Sequence, residues 1–159
     1  MRVSEVKERI RERFPERRVD FKEPISGQLY AVVGKADVVD LAEFIHKELN
    51  GRFLITVATD RREDLGKFEI THVFSLDKDH LYVSIQTHVD PSDPTIPSIT
   101  PKIPAAGWAE REMRDMIGVE PVGHPDPRRL VLPDDWPEGL YPLRKDFPYN
   151  YRPEPDYSA

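Results

Sequence analysis

The distribution of proline constrains this chain most. It has 16 prolines in 159 residues, and only Pro15 and Pro24 precede residue 91; the other 14 fall in the last 69 residues. Each proline removes a backbone donor and fixes φ, so a stretch this rich in it cannot sustain long helices or ladders. The chain therefore changes character near Val89-Asp90-Pro91. Residues 1–90 can form a regular α+β domain. Residues 91–159 read as a Pro-rich connection, a short helix over about 105–118 and an extended tail.

In the first part, Val3, Val6, Ile10 and Phe14 lie on one stripe of a charged helix. Asp20 to Glu23 and Gln28 to Val33 read as strands around the turn Pro24-Ile25-Ser26-Gly27. Asp37 can cap a second helix running to about Leu49, with Leu41, Phe44, Ile45 and Leu49 inward and Gly51 as its stop. Phe53 to Thr59 is a continuous apolar strand. Two alternating runs follow, from Phe68 to Leu76 and from Leu81 to Val89, joined by Asp77-Lys78-Asp79-His80. The order helix, two strands, helix, three strands predicts a mostly antiparallel sheet of about five strands with both helices on one face.

The chain is acidic, with 23 Lys and Arg against 29 Asp and Glu, and it has no basic block. That argues against nucleic acid, whose phosphates need a clustered cationic face. No apolar run approaches the ~20 residues that span a bilayer. The charged N-terminus MRVSEVKERIRERF lacks the apolar core of a secretory signal, so a cytoplasmic location is expected. With no cysteine, the chain can hold no disulfide, thiol nucleophile, cysteine-ligated zinc or ordinary iron–sulfur cluster.

Few residues form a convincing catalytic set. If the 77–80 loop closes a regular hairpin, paired positions sum to 157; His72 then faces Ile85, and His88 faces Glu69. The two histidines are not opposite each other, so three or four converging metal ligands are not expected. His72 reads as a hydrogen-bonded core residue. There is no glycine-rich phosphate loop, G-x-S-x-G elbow or H-E-x-x-H pair. Glu110 and Glu112 stand two apart on the short helix and point in different directions. Asp134-Asp135 reads as a turn before Trp136-Pro137. On the same helix, Ala109, Met113, Met116 and Ile117 share an apolar face. Glu110 with Arg114, and Arg111 with Asp115, form i,i+4 pairs on the opposite face. Glu112 falls beside Met116, where a carboxylate needs a cation or several donors; Arg128, Arg129 and Arg144 are the candidates.

The tail from Val119 to Ala159 holds nine prolines in 41 residues, with no helical or strand period. Yet it carries Trp136, Tyr141, Phe147, Tyr149, Tyr151 and Tyr157, six of the chain's fifteen aromatic residues. A disordered segment should be poor in them. Ordering such a segment costs ~1–2 kcal/mol per residue, less at proline, and must be offset by apolar burial. A body of about 90 residues has little surface to spare. The expectation is that much of the tail lies against another protein; the alternative is a tail wrapped on its own domain.

The same region carries a long ordered motif. Glu110-Arg111-Glu112, Asp115-Met116-Ile117-Gly118, Gly123-His124-Pro125, Arg128-Arg129-Leu130, Leu132-Pro133-Asp134-Asp135-Trp136 and Pro142-Leu143-Arg144-Lys145-Asp146-Phe147-Pro148 follow one another over about residues 107–148. This pattern resembles the 30-kDa-type subunit of respiratory NADH:quinone oxidoreductase (complex I). It is equally similar to the matching subunit of membrane-bound, energy-converting [NiFe] hydrogenases. The resemblance implies a non-catalytic peripheral-arm subunit on the cytoplasmic face of the cell membrane, with no cluster, metal or nucleotide of its own. Iron–sulfur clusters and possibly [NiFe] would belong to partner subunits. The implied partners are the hydrogenase-large-subunit-like (49-kDa-type) subunit and the iron–sulfur subunits of the same complex.

By position, Glu110, Arg111, Glu112 and Asp115 carry the family helix. His124, Arg128, Arg129, Asp134, Asp135, Trp136, Arg144, Lys145 and Asp146 carry the docking segment. Arg128, Arg129 and Arg144 are expected to pair with carboxylates, within the chain or across the interface. Quinone-reducing members usually have an aromatic residue near Pro121, a leucine at Pro127 and a shorter link from the tryptophan to Pro-Leu-Arg-Lys-Asp. These departures favour a hydrogenase-type or ferredoxin-linked complex of a thermophile, with the 30-kDa-type subunit of an NADH (or other donor):quinone oxidoreductase as the alternative. Two rivals are a stand-alone acid/base enzyme using Glu112 and His124, and an interaction module unrelated to respiration.

Overall fold

The computed structural model describes residues 1–152. Tyr157, one of the tail's aromatic residues, lies outside the described residues. The elements are α1 (Val3–Arg13), β1 (Asp20–Lys22), β2 (Gln28–Val32), α2 (Val38–Lys47), β3 (Arg52–Arg61), α3 (Arg62–Leu65), β4 (Lys67–Leu76), β5 (Leu81–Val89), β6 (Thr95–Pro97), α4 (Gly107–Ile117) and β7 (Glu120–Val122).

Strands β1 to β5 form one sheet in the order β1-β2-β5-β4-β3. All its pairings are antiparallel except β2 with β5, which is parallel; α2, β3 and β4 lie between them in the chain and supply the crossover that a parallel pair requires. The β4–β5 hairpin has the expected register: His72 faces Ile85, and Glu69 faces His88. The alternating residues Phe68, Ile70, Phe74 and Leu76 of β4 and Val83, Ile85 and Val89 of β5 are buried. Val6 and Ile10 of α1 and Leu41, Phe44 and Ile45 of α2 join them in one cluster, so the helices cover that face. Phe14 and Phe44 meet edge to face at 5.6 Å where the two helices converge. Asp37 does not cap α2 with its side chain; it lies in the preceding 3₁₀ turn and pairs with Arg17 at 3.2 Å.

His72 is fully buried. Its Nδ1 lies 2.8 Å from Thr56 Oγ1, while Nε2 has no partner among the described residues. Burial lowers its pKa to about 4, because the charged imidazolium is poorly solvated there.

The Pro-rich connection is more ordered than its composition suggests. Thr95-Ile96-Pro97 pairs in parallel with Glu120-Pro121-Val122. Such a ladder has two free edges, and each proline can direct its missing N–H outward. Ile96, Ile99, Ile103, Met113, Ile117 and Val119 continue the buried cluster. The second part is therefore packed on the sheet through its apolar residues.

Candidate functional site

The helix α4 begins after a 3₁₀ turn at Pro104–Ala106 and ends at Gly118, which takes φ +79° as its left-handed stop. A side chain at Gly118 would meet the Tyr141 ring at 2.4 Å, so the tail packs directly on the helix terminus.

The polar residues of α4 are not on a solvated face. Glu110 is fully buried and accepts hydrogen bonds from Ser98 Oγ (2.5 Å), Ile99 N (2.8 Å) and Thr100 Oγ1 (2.6 Å). Arg111 is nearly buried. It donates to the carbonyls of Arg128 (2.9 Å) and Arg129 (2.8 Å) and pairs with Asp126 at 3.0 Å. Asp115, also buried, accepts from the successive amides of Leu130, Val131 and Leu132 at 2.8, 2.9 and 3.2 Å through one carboxylate oxygen. The expected pairs Glu110–Arg114 and Arg111–Asp115 do not form. Each buried member instead satisfies backbone or hydroxyl groups of segments that have no ladder of their own. Glu110 binds the segment entering the helix, and Arg111 and Asp115 bind the tail leaving it.

Glu112 is the reverse case. Expected to need a cation from the tail arginines, it is exposed and has no hydrogen-bond or ion-pair partner among the described residues. Trp108, one turn earlier, is also exposed.

His124 is drawn inward. Its side chain is 4% exposed, Nε2 donates to Gly107 O at 3.0 Å, and Nδ1 accepts from Asp126 N at 3.0 Å. Its Nε2 stands 4.0 Å from Glu110. Glu112 and His124 thus do not form an acid/base pair: His124 approaches Glu110, and both of its nitrogens are occupied by backbone groups.

The tail arginines behave differently from one another. Arg128 pairs with Asp126 at 2.8 Å, as expected of a carboxylate partner; that guanidinium and the nearby Arg111 hold the Asp126 carboxyl well below the usual carboxylate range. Arg129 instead binds the carbonyls of Pro133 and Trp136, each at 2.8 Å. Arg144 donates to Ile117 O at 2.6 Å, a cation on the C-terminal carbonyls of α4, and stacks over Tyr141 at 4.1 Å and Phe68 at 4.9 Å. For these two, bends in an irregular backbone supply the acceptors.

A second anchor has no counterpart in the sequence pattern. Arg62, at the β3–α3 junction, binds Asp60 (2.7 Å) and Asp146 (2.8 Å). The Lys145 amide donates to Asp60 at 3.0 Å, and Lys145 Nζ pairs with Glu63 at 2.9 Å. Arg62 first, with the Lys145 amide, holds the buried Asp60 well below the usual carboxylate range. The only sequence signal was the charged run Asp60-Arg61-Arg62-Glu63-Asp64 between two apolar strands, which otherwise looks like a solvated loop.

Asp134 and Asp135 are exposed, within a turn in which Trp136 N donates to Pro133 O at 3.1 Å. Trp136 stacks on Phe147 at 6.3 Å, and Tyr151 meets both edge-on. The tail is therefore fastened to its own domain at several points, as the alternative of a tail wrapped on its own body has it. It is fastened shallowly. From residue 122 to residue 152 no described residue is buried apart from the His124 side chain, and Val131, Leu143 and Tyr149 are open to solvent. Among the described residues no group of three or more histidines or acidic residues could hold a metal, and no helix is long and apolar enough to cross a membrane.

The chain is similar to several known proteins. Formate hydrogenlyase subunit 5 of Escherichia coli (strain K12) is 40% identical over 152 residues, which is 94% of this chain and 27% of that protein. The chain thus spans about a quarter of that relative's length. Membrane-bound hydrogenase subunit beta of Pyrococcus furiosus is 31% identical over 89% of this chain and 83% of its own. A chain in the structure of the membrane-bound sulfane sulfur reductase (MBS), an archaeal respiratory membrane complex, has a similar fold with TM-score 0.79. It is 25% identical, with 92% of this chain and 86% of that chain covered. Residues 31–153 match the sequence profile described as "Respiratory-chain NADH dehydrogenase, 30 Kd subunit", a span that runs from within β2 through α4 and into the tail. The chain belongs to the family of the 30-kDa subunit of respiratory-chain NADH dehydrogenase.

Proposed function

We propose that this chain is a non-catalytic peripheral-arm subunit of an ion-translocating membrane oxidoreductase, of hydrogenase or ferredoxin-linked type. Residues 1–90 serve as the body, and residues 91–159 serve for docking. The docking partner is the large catalytic subunit of 49-kDa, hydrogenase-large-subunit type. Clusters and any [NiFe] site belong to the partner subunits, and the assembly lies on the cytoplasmic face of the membrane.

One observation carries this reading. A tail of some thirty residues is held in a single path by buried Arg111 and Asp115, yet apart from the His124 side chain none of its described residues is buried. Ordering a shallow, aromatic-bearing segment costs conformational entropy that its own body only partly offsets. Prolines reduce that cost and keep the segment extended for recognition. Exposed Val131, Leu143 and Tyr149 supply apolar contacts, and the Trp136–Phe147–Tyr151 cluster stiffens the surface that presents them. The relatives named as hydrogenase subunits support the hydrogenase side; the family description favours the second reading, the 30-kDa-type subunit of an NADH:quinone oxidoreductase.

The test is affinity purification of this chain from its native membranes with identification of what accompanies it. Iron–sulfur and [NiFe] proteins are expected; a flavin–NADH module would establish the second reading instead. Deletion from Arg128 onward, or Arg144→Ala, should abolish co-purification. Complexes lacking the tail that keep full stoichiometry and activity would sink the proposal.

A further inference from the structure

Edge strands are usually short, charged, bulged or covered, because their unpaired N–H and C=O groups recruit other chains. Strand β3 is an edge of the sheet and runs for ten residues, Arg52–Arg61. Its charges sit at its ends, and its middle is Leu54-Ile55-Thr56-Val57-Ala58. One irregularity, between Phe53 and Ile55, interrupts its pairing with β4. Among the described residues, no backbone group from outside the sheet bonds to residues 52–59.

Helix α4 runs beside this edge without closing it. Residues 55–58 of β3, Glu112 and Met116 of α4, and Leu143 of the tail line one groove. Four consecutive strand residues on its wall mean that backbone as well as side chains face the gap. Ile55 is 46% exposed, Val57 43% and Leu143 61%. Glu112 adds an exposed carboxylate with no partner among the described residues.

We infer that the outer edge of β3 takes a sixth strand from the partner subunit, an extended apolar segment bearing a lysine or arginine set against Glu112. This rests on the docking reading of the tail and gives it a second contact. The unpaired ladder dictates an extended backbone. Ile55, Val57 and Leu143 call for aliphatic side chains, and Glu112 supplies the charge to be matched. The formate hydrogenlyase relative, in which the matched region is 27% of the protein, shows this module continuous with a much longer polypeptide. That favours a foreign segment over a second copy of this chain.

The measurement is hydrogen–deuterium exchange on the complex purified from native membranes, compared with the isolated chain. Amides at 54–58 should exchange at least about tenfold more slowly in the complex. Unchanged exchange there, with residues 128–148 newly protected, would overturn the sixth strand and leave the docking reading intact. No accompanying subunit, or no new protection anywhere, would remove both. Concentration-dependent protection of 54–58 in the isolated chain would identify a second copy as the occupant and refute the inference. Because Glu112 is exposed, Glu112→Lys should fold with an unchanged melting temperature and retain the partner about tenfold less well. Full retention by that variant would also count against the matched cation.

Discussion

Strands β4 and β5 pair over nine consecutive positions, so their backbones satisfy each other and their side chains are free to fill the core. Between residues 126 and 145 the chain has no ladder. Its carbonyls at 128 and 129 go to Arg111, its amides at 130–132 go to Asp115, and the amide at 145 goes to Asp60. The sheet is therefore held by apolar burial with internal hydrogen bonding, and the tail by a few buried ions that act as surrogate ladder partners. The first kind of stability is distributed and cooperative. The second is concentrated in single side chains, so a segment held this way should be released by one substitution without unfolding the body.

That contrast can be broken at several points. The largest effect is expected in the core: Phe74→Ala should lower stability by about 3–5 kcal/mol, read as a lower melting temperature with body and tail lost together. Next is acid. His72 has a folded pKa of about 4 against an ordinary 6.5, so between those values the unfolded state binds more protons. Stability should be complete above about pH 6.5 and fall by about 3 kcal/mol as the pH drops to 4, then level off for this group. Denaturant titrations across that range, in wild type and His72→Phe, would measure it. A variant with the same acid slope as wild type would exclude His72 as the source.

Asp115→Ala should cost about 2–3 kcal/mol locally, since three tail amides lose their acceptor and Arg111 remains beside them. Limited proteolysis should then cut near residues 128–132 while the circular dichroism of the sheet is unchanged. If body and tail instead melt as one in this variant, the two are not held independently. Gly118→Ala is a smaller perturbation, about 1–2 kcal/mol, because φ +79° disfavours a side chain and the Tyr141 ring must move. It should loosen residues 141–144 first. Smallest of all, Glu112→Gln should change the stability of the isolated chain by less than about 0.5 kcal/mol, as expected of an exposed position.

Much of the fold was legible from the residues alone. The extents of the main helices and strands, the 157 register and the stop at Gly118 all rest on near-neighbour rules: side-chain alternation, 3.6-residue stripes and glycine's tolerance of positive φ. The absence of cysteine and the ordered motif from Glu110 to Pro148 are likewise properties of the sequence itself. Periodicity does not reveal the polar face of α4, because it assumes one buried face and one wet one. Here the second face is covered too, by chain without a period, so Glu110, Arg111 and Asp115 are buried and Glu112 is left outside. The clasp of Asp60 and Arg62 on Lys145 and Asp146 joins positions more than eighty residues apart, and no local pattern encodes such a meeting. Sequence determined where the chain could be regular, because regularity is a short-range property of the backbone. Only the folded arrangement decided which charges would serve the irregular part, because that depends on which unpaired N–H and C=O groups are brought within reach.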